Sequence, residues 1–274
     1  MAFDEALFQQ FSAGGSLPTL RIYGWRPAAF SVGYAQDVGG VLRVKDCQEN
    51  NIPIVRRMTG GGAVFHRDEL TYSLVCLKKD IGITGPVVSS FRTLSAFILK
   101  AYRKSGLPAE FAFARAPESF KKFNGNTPFC FAGKEKYDIL VGGRKIGGNA
   151  QKRSGEVIFQ HGSIPLTSSI AMAVRFLRDK PQGLVPEICS LEETLPERIS
   201  FDALALTLKE SFQETFCVYL RESGFSSEEQ ESALRLRREK YSLDAWNIER
   251  DFCLTRDTHA YDDKAACQKA ALAE

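Results

Sequence analysis

Two stretches of the 274-residue chain gather the side chains able to do chemistry. Residues 130–164 (CFAGKEKYDILVGGRKIGGNAQKRSGEVIFQHGSI) set Cys130 and Lys145 beside two glycine-bearing turns and His161. Residues 56–73 (RRMTGGGAVFHRDELTYS) supply a paired arginine, the triplet Gly60-Gly61-Gly62 and His66. A thiolate attacks a thioester far faster than a thiol does, and a nearby ammonium favours the charged sulfur. Each unit of pKa lowering is about 1.4 kcal/mol of differential stabilisation, so one well-placed lysine can supply the activation. Cys130, between Phe129 and Phe131, reads equally as a small buried apolar residue. Lys145, just after Gly142-Gly143-Arg144, reads equally as a solvated cation at the end of a turn. Alternation along an extended 144–152 segment places Lys145, Gly147, Asn149 and Gln151 on one face. A glycine beside a lysine on that face lets a ligand approach the backbone. Backbone N–H groups at Gly147-Gly148 are candidates to hold an oxyanion. The chemistry these residues suggest is acyl transfer through a thiol.

Three successive glycines each cost about 0.5–1 kcal/mol in ordered structure, more than a plain turn between strands requires. Arg57, just before them, either faces a phosphate or pairs with Asp68 or Glu69. His66 and His161 read as hydrogen-bonded strand residues or as catalysts, and neither has an i, i+4 histidine partner. Seven widely spaced cysteines without a CxxC pair are no disulfide framework and no zinc signature, so no metal is expected. A net charge of +3 with no Lys/Arg block gives no reason to expect nucleic acid. Without an 18-residue apolar run, signal peptide or lipidation motif, no membrane association is expected and the default location is the cytoplasm.

The elements that must position these groups follow from periodicity. Residues 1–11 have helical spacing, with Phe3, Leu7, Phe8 and Phe11 on one side. Residues 20–23 and 29–34 read as strands around the Gly24-Trp25-Arg26-Pro27 turn, and 52–57 as a strand ending in the glycine triplet. Residues 63–66 and 70–77 read as a hairpin across Arg67-Asp68-Glu69. Residues 86–105 show the helical period, with Phe91, Leu94, Phe97, Ile98 and Tyr102 inward. A strand near 109–114 and a polar loop at 117–127 precede Cys130. Three strands then follow, 137–141, 144–152 and 157–164, joined by Gly142-Gly143 and Ser154-Gly155. Beyond Thr167 the pattern is mostly helical, clearest at 199–217 and at 226–241, the latter opening on a Ser-Ser-Glu-Glu cap. The expectation is an α+β fold, a mainly antiparallel sheet flanked by helices, forming one domain over 1–250 with a loosely ordered tail at 251–274.

MAFDEAL, RIYGWRPAAFSVGYAQ, RRMTGGGAVFHRDELTYS, GRKIGGNAQKR, FQHGSI and YSLDAWN occur in one order, from Met1 to about residue 250. In these segments the chain resembles the lipoate–protein ligase A and octanoyltransferase superfamily, whose fold is shared with biotin–protein ligases. The segment CFAGKEKYDILVGGRKIGGNAQ is most similar to octanoyltransferases that carry their nucleophile on the loop before this hairpin. The resemblance implies Cys130 as nucleophile and Lys145 as the lysine required beside it. It also implies that the Gly60-Gly61-Gly62 loop wraps the acyl tail, and that Arg57, His66, Gly147, Gly148, Asn149 and His161 lie around the substrate. The implied reaction moves an octanoyl group from acyl carrier protein, through a cysteine thioester, to a lysine of a lipoyl domain. The acceptor would be the glycine-cleavage H protein or a dehydrogenase E2 subunit, with no cofactor. An ATP-dependent lipoate–protein ligase, a lipoyl-domain amidotransferase and a non-catalytic acyl- or lipoyl-domain-binding paralogue are the alternatives. Three departures from the family pattern stand out. The customary first strand is absent, which would expose a sheet edge. Arg67 follows His66 where an acid is more usual, and Gly147 replaces an alanine or serine, which should loosen the backbone there.

Overall fold

The computed structural model describes residues 1–85, 87–115, 135–179 and 187–251, with the side chains of residues 87 and 88 excepted. Cys130, the polar loop expected at 117–127 and the tail from 252 onward lie outside the described residues. Strand β5 (Glu69–Leu77) organises the chain. It pairs antiparallel with β1 (Thr19–Tyr23) on one side and β10 (Val157–Pro165) on the other, and β10 pairs antiparallel with β9 (Gly148–Ser154). Side-chain alternation gives this sheet two different faces. Leu70, Tyr72, Leu74, Cys76, Ile158 and Ile164 join one core with Leu94, Phe97, Ile98 and Tyr102 of α4 (Val87–Lys104). Leu204, Leu208 and Phe212 of α8 (Phe201–Phe216) complete it. Each such aliphatic or aromatic side chain contributes about 1.5–3 kcal/mol on leaving water. The alternate residues of β5 are the buried polar Glu69, Thr71 and Ser73, followed by Val75, which packs with Phe159 and with Leu7 and Phe8 of α1 (Ala2–Ser12).

A second sheet has β2 (Ala29–Val32) at its centre, parallel to β3 (Ile54–Arg56) and antiparallel to β4 (Val64–His66). The short helices α2 (Val38–Val41) and α3 (Val44–Glu49) make the crossover between the parallel pair. Leu42, just after α2, and Cys47 of α3 share a core with Phe30, Val32, Phe65 and Phe176. A third sheet is the antiparallel set β6 (Ala109–Phe111), β7 (Ile139–Val141) and β8 (Arg144–Lys145). Helix α9 (Ser227–Leu236) opens on a capping box in which Ser226 and Glu229 satisfy each other's backbone N–H groups. Through Ala233 and Leu236 it packs on Ala6 of α1. The architecture is α+β and mainly antiparallel, as the sequence leads one to expect. Among the described residues, no helix is long and apolar enough to cross a membrane.

Three local expectations change. Residues 63–66 and 70–77 form strands but no hairpin: β4 belongs with β2, and β5 with β1 and β10. Phe65 packs on Phe30 in one core while Leu70 and Tyr72 belong to the other, and Asp68, at φ 47, turns the chain between sheets. The 144–152 segment is two strands, because Gly147, at φ 84, breaks it. Lys145 therefore lies in the third sheet and Asn149 and Gln151 in the first, so the shared face expected for them ends at the break. The second tight turn is Gly155-Glu156, since Ser154 still pairs with Val157. Gly142 and Gly143 form the expected first turn, both at positive φ as a tight two-residue hairpin requires.

Candidate functional site

The segment RRMTGGG is held at every polar residue. Arg56 is fully buried and reaches backbone carbonyls on two distant segments. Its Nη1 donates to Gly33 O, Tyr34 O and Gln36 O at 2.8–3.0 Å. Its Nε donates to Trp246 O at 2.8 Å and its Nη2 to Asn247 O at 3.2 Å, in and beside α10 (Asp244–Asn247). The backbone joins in, the Arg56 N–H donating to Asn247 Oδ1 and Trp246 Nε1 donating to Arg56 O. Burial, then the neighbouring Arg250, pushes the guanidinium down to about 10, which leaves it cationic at neutral pH. The YSLDAWN segment is thus the piece of chain that Arg56 grips.

Arg57 fixes the glycine loop. Its Nη2 donates to Gly60 O and Gly62 O at 3.0 Å, and its Nη1 to Ser31 Oγ at 2.8 Å. Expected to face a phosphate or an acid, it directs Nη2 at the backbone of its own loop and Nη1 at Ser31. Gly61 has φ 97, and a Cβ on Gly33 would collide with the Gly61 carbonyl, so both positions need glycine. Behind Ser31 stands His66, with Nε2 2.6 Å from Ser31 Oγ and Nδ1 2.6 Å from Glu69 Oε1. Ser31 Oγ accepts from Arg57 Nη1 and lies against His66 Nε2 on its other side, while Nδ1 of the ring faces the Glu69 carboxylate. Glu69 also accepts from Thr71 Oγ1 and Ser163 Oγ, each at 2.5 Å. Trp25 stacks flat on the imidazole with ring centroids 4.0 Å apart. His161 reaches the same loop from β10, its Nε2 2.7 Å from Thr59 Oγ1. Burial, helped by Arg57, pushes His161 down to about 3, so it is neutral there. Both histidines therefore engage the protein around the glycine loop.

The hairpin carries the other half. Lys145 is only 3% exposed, which excludes the solvated reading. Its Nζ lies 2.7 Å from Asp138 Oδ2, and that oxygen also accepts the Glu135 N–H at 2.6 Å. A buried ammonium costs several kcal/mol unless paired, so Asp138 is what permits Lys145 to sit here as a cation. Burial, then Asp138, raises the Glu135 carboxyl. Gly147 does not loosen this region. At its φ of 84, a Cβ would strike the Ser163 carbonyl, so glycine lets β10 and the hairpin close on one another. Gly148 pairs with Ser163 in the sheet. Asn149 Oδ1 accepts from Tyr72 Oη at 2.7 Å, and Asn149 Nδ2 donates to Ser95 Oγ at 3.4 Å. Ser163 joins the halves: its hydroxyl reaches Glu69 and its backbone meets Gly147 and Gly148.

Burial pushes three of the described thiols up, Cys47 and Cys189 to about 11 and Cys76 to about 12, so none of these is a thiolate at neutral pH. Among the described residues, no group of three His, Cys, Asp or Glu side chains could hold a metal ion. The residues that sequence reasoning passed over are Ser31, Thr59, Asp138 and Ser163, and Glu69 was weighed only as a partner of Arg57. Two carried a signal. Ser31 interrupts an apolar four-residue strand, and Glu69 opens a buried one, where a polar side chain needs a partner.

A family model of the lipoyl protein ligase A/B catalytic domain matches residues 1–213. The chain is 34% identical over 254 residues to an octanoyltransferase LipM of Exiguobacterium sp., covering 90% of this chain and 92% of the relative. It is 33% identical over 261 residues to the octanoyltransferase LipM of Bacillus subtilis, covering 91% and 93%. A solved lipoate-protein ligase A bound with ATP matches with a TM-score of 0.75 at 26% identity, covering 90% of this chain and 92% of that one. A bi-partite lipoate protein ligase of Thermoplasma acidophilum shares the fold, with a TM-score of 0.73 at 23% identity over 90% of this chain and 89% of that one. With its glycine loop clamped by Arg57 and its buried Lys145 on the following hairpin, the chain belongs to the lipoyl protein ligase A/B catalytic-domain family, on its octanoyltransferase side, and is an acyltransferase.

Proposed function

We propose that this enzyme takes an octanoyl group from the thioester of octanoyl-acyl carrier protein onto Cys130 and passes it to a lysine of a lipoyl domain. In the first step the Cys130 thiolate attacks the thioester carbonyl. The new thioester bond forms, and the pantetheine sulfur leaves and takes up a proton. In the second step the acceptor lysine, having given up its ammonium proton, attacks the octanoyl-cysteine carbonyl. An amide forms and the Cys130 sulfur is released. Lys145 stabilises the thiolate in the first step and relays a proton in the second. The observation that carries this reading is the Lys145–Asp138 pair. A buried ammonium is maintained, at 2.7 Å from its carboxylate, on the hairpin that follows the Cys130 segment. Among the described thiols, Cys189 donates to the Lys145 carbonyl and is held protonated by burial. Glycines 60–62 give the acyl chain a backbone surface to lie along, with Gly147 and Gly148 beside the reacting carbonyl. The family's lipoate chemistry and the E2 lipoyl domain named with the Thermoplasma ligase support a lipoyl domain as acceptor.

The test is intact-mass analysis after incubation with octanoyl-acyl carrier protein without ATP. An octanoyl-sized adduct, labile to hydroxylamine and lost in Cys130→Ala, is expected. Product formed only from free acid and ATP, indifferent to Cys130, would make the enzyme a ligase instead.

A further inference from the structure

One hydrogen-bonded chain crosses the molecule between the two glycine segments. It runs from the carbonyls of Gly60 and Gly62 through Arg57 to Ser31, then through His66 to Glu69, and from Glu69 to Ser163. Ser163 in turn is paired with Gly148 and packed on Gly147. Arg57, Ser31, His66, Glu69 and Ser163 are all buried, and the links span β2, β4, β5 and β10, which belong to two different sheets. Such a chain has a fixed length. The rotamers of Arg57, His66 and Glu69 are each held at both ends, and the His66 ring is clamped by Trp25, whose Nε1 is itself bonded to Thr71 Oγ1 at 2.8 Å. Nothing in acyl transfer requires Ser31, His66 or Glu69 to touch substrate, yet together they tie the glycine loop to the strand on which Gly147 and Gly148 pack.

We propose that Ser31, His66 and Glu69 are positioning residues that set the acyl-chain length the enzyme accepts, by fixing the gap between the Gly60–Gly62 loop and the Gly147-Gly148 turn. This rests on the octanoyl-transfer reading, in which the tail lies along the loop and the carbonyl beside the hairpin. One methylene too many or too few in a shaped apolar site is worth roughly 10- to 200-fold in kcat/KM. A gap that is no longer fixed forfeits that discrimination before it forfeits turnover. The chain is open to cutting at two distant points. Ser31→Ala removes the hydroxyl between Arg57 and His66, and Ser163→Ala removes the link from Glu69 to β10 while leaving the β10 backbone in place.

The experiment measures kcat/KM with hexanoyl-, octanoyl- and decanoyl-acyl carrier protein, with thermal melting as a folding control. Hydrogen exchange of residues 58–63 is followed in parallel. In either variant, the preference for octanoyl over its neighbours is expected to fall about tenfold, with faster exchange in the loop. If Ser31→Ala does not fold, Ser163→Ala decides. A variant that lowers all three donors by one common factor, or leaves the profile unchanged, overturns the inference and leaves octanoyl transfer standing. A wild-type enzyme inactive with every thioester donor overturns both.

Discussion

Changing Gly147 to alanine tests the geometry of the site at its tightest point. The family resemblance makes alanine or serine the expected residue here, and substitution toward a common residue usually stabilises. The structure gives the opposite sign. Gly147 has φ 84, where an L-residue is strained by about 1–2 kcal/mol, and its Cβ would meet the Ser163 backbone carbonyl, which cannot swing aside as a side-chain end can. Relieving that overlap costs about 1–3 kcal/mol by analogy with overpacked cores. Alanine's smaller unfolded-state entropy returns about 0.4–1 kcal/mol. The net expectation is a loss of about 2–4 kcal/mol, a large share of the ~5–15 kcal/mol typical of a folded domain. Ser163 is bonded to Glu69, so the displacement also pulls on the chain that ends at the glycine loop, and kcat/KM should fall with stability. Urea unfolding gives the stability change from the midpoint, provided the slope is unaltered. A Gly147→Ala protein within about 0.5 kcal/mol of wild type, and equally active, would show that the hairpin does not close on β10 as described.

Three further outcomes are expected. Arg56→Met removes the guanidinium from five backbone carbonyls, of which Gly33 O keeps the Gln36 N–H, so urea stability should drop by about 3–5 kcal/mol, and limited proteolysis should begin to cut within residues 244–251. Asp138→Asn keeps an acceptor for the Glu135 N–H but removes the charge opposite Lys145. If Lys145 activates the nucleophile, kcat/KM should fall at least tenfold and the alkaline shift of its pH profile should match that of Lys145→Met. A profile like wild type would separate the pair from catalysis. His161 binds its proton less readily folded, at about 3, than unfolded, near 6.5, so stability is fully present above pH 6.5 and is lost as pH falls toward 3. Between pH 6 and 5 the wild type should lose about 1 kcal/mol that His161→Gln does not, as unfolding curves at the two pH values will show.

The sequence showed elements wherever one face had a clear period. Helices at 87–104, 201–216 and 227–236 came from Leu94, Phe97, Ile98 and Tyr102 at helical spacing and from the Ser226–Glu229 cap. Sheet membership was not legible, because β4 and β5 are close in sequence and their pairing is decided by which core each apolar face enters. The break at Gly147 looked like a permissive residue inside a strand, since a positive φ leaves no mark on apolar patterning. Within the site, residue types pointed to Lys145, Arg57 and the histidines but not to their partners. Hydrogen-bond partners such as Ser31 and His66, or Arg56 and Asn247, are 35 and 191 residues apart, and no local spacing encodes them.

Arg56 imposes an order of events on synthesis. The strand it ends is made early, yet the carbonyls that take up its guanidinium include those of residues 246 and 247, made some 190 positions later. A nascent chain must hold that buried cation provisionally, in water or in the grip of residues 33–36 alone, until α10 arrives. The strand that leads into the glycine loop is therefore translated early but gains its full set of buried partners only once residues 246 and 247 have been made.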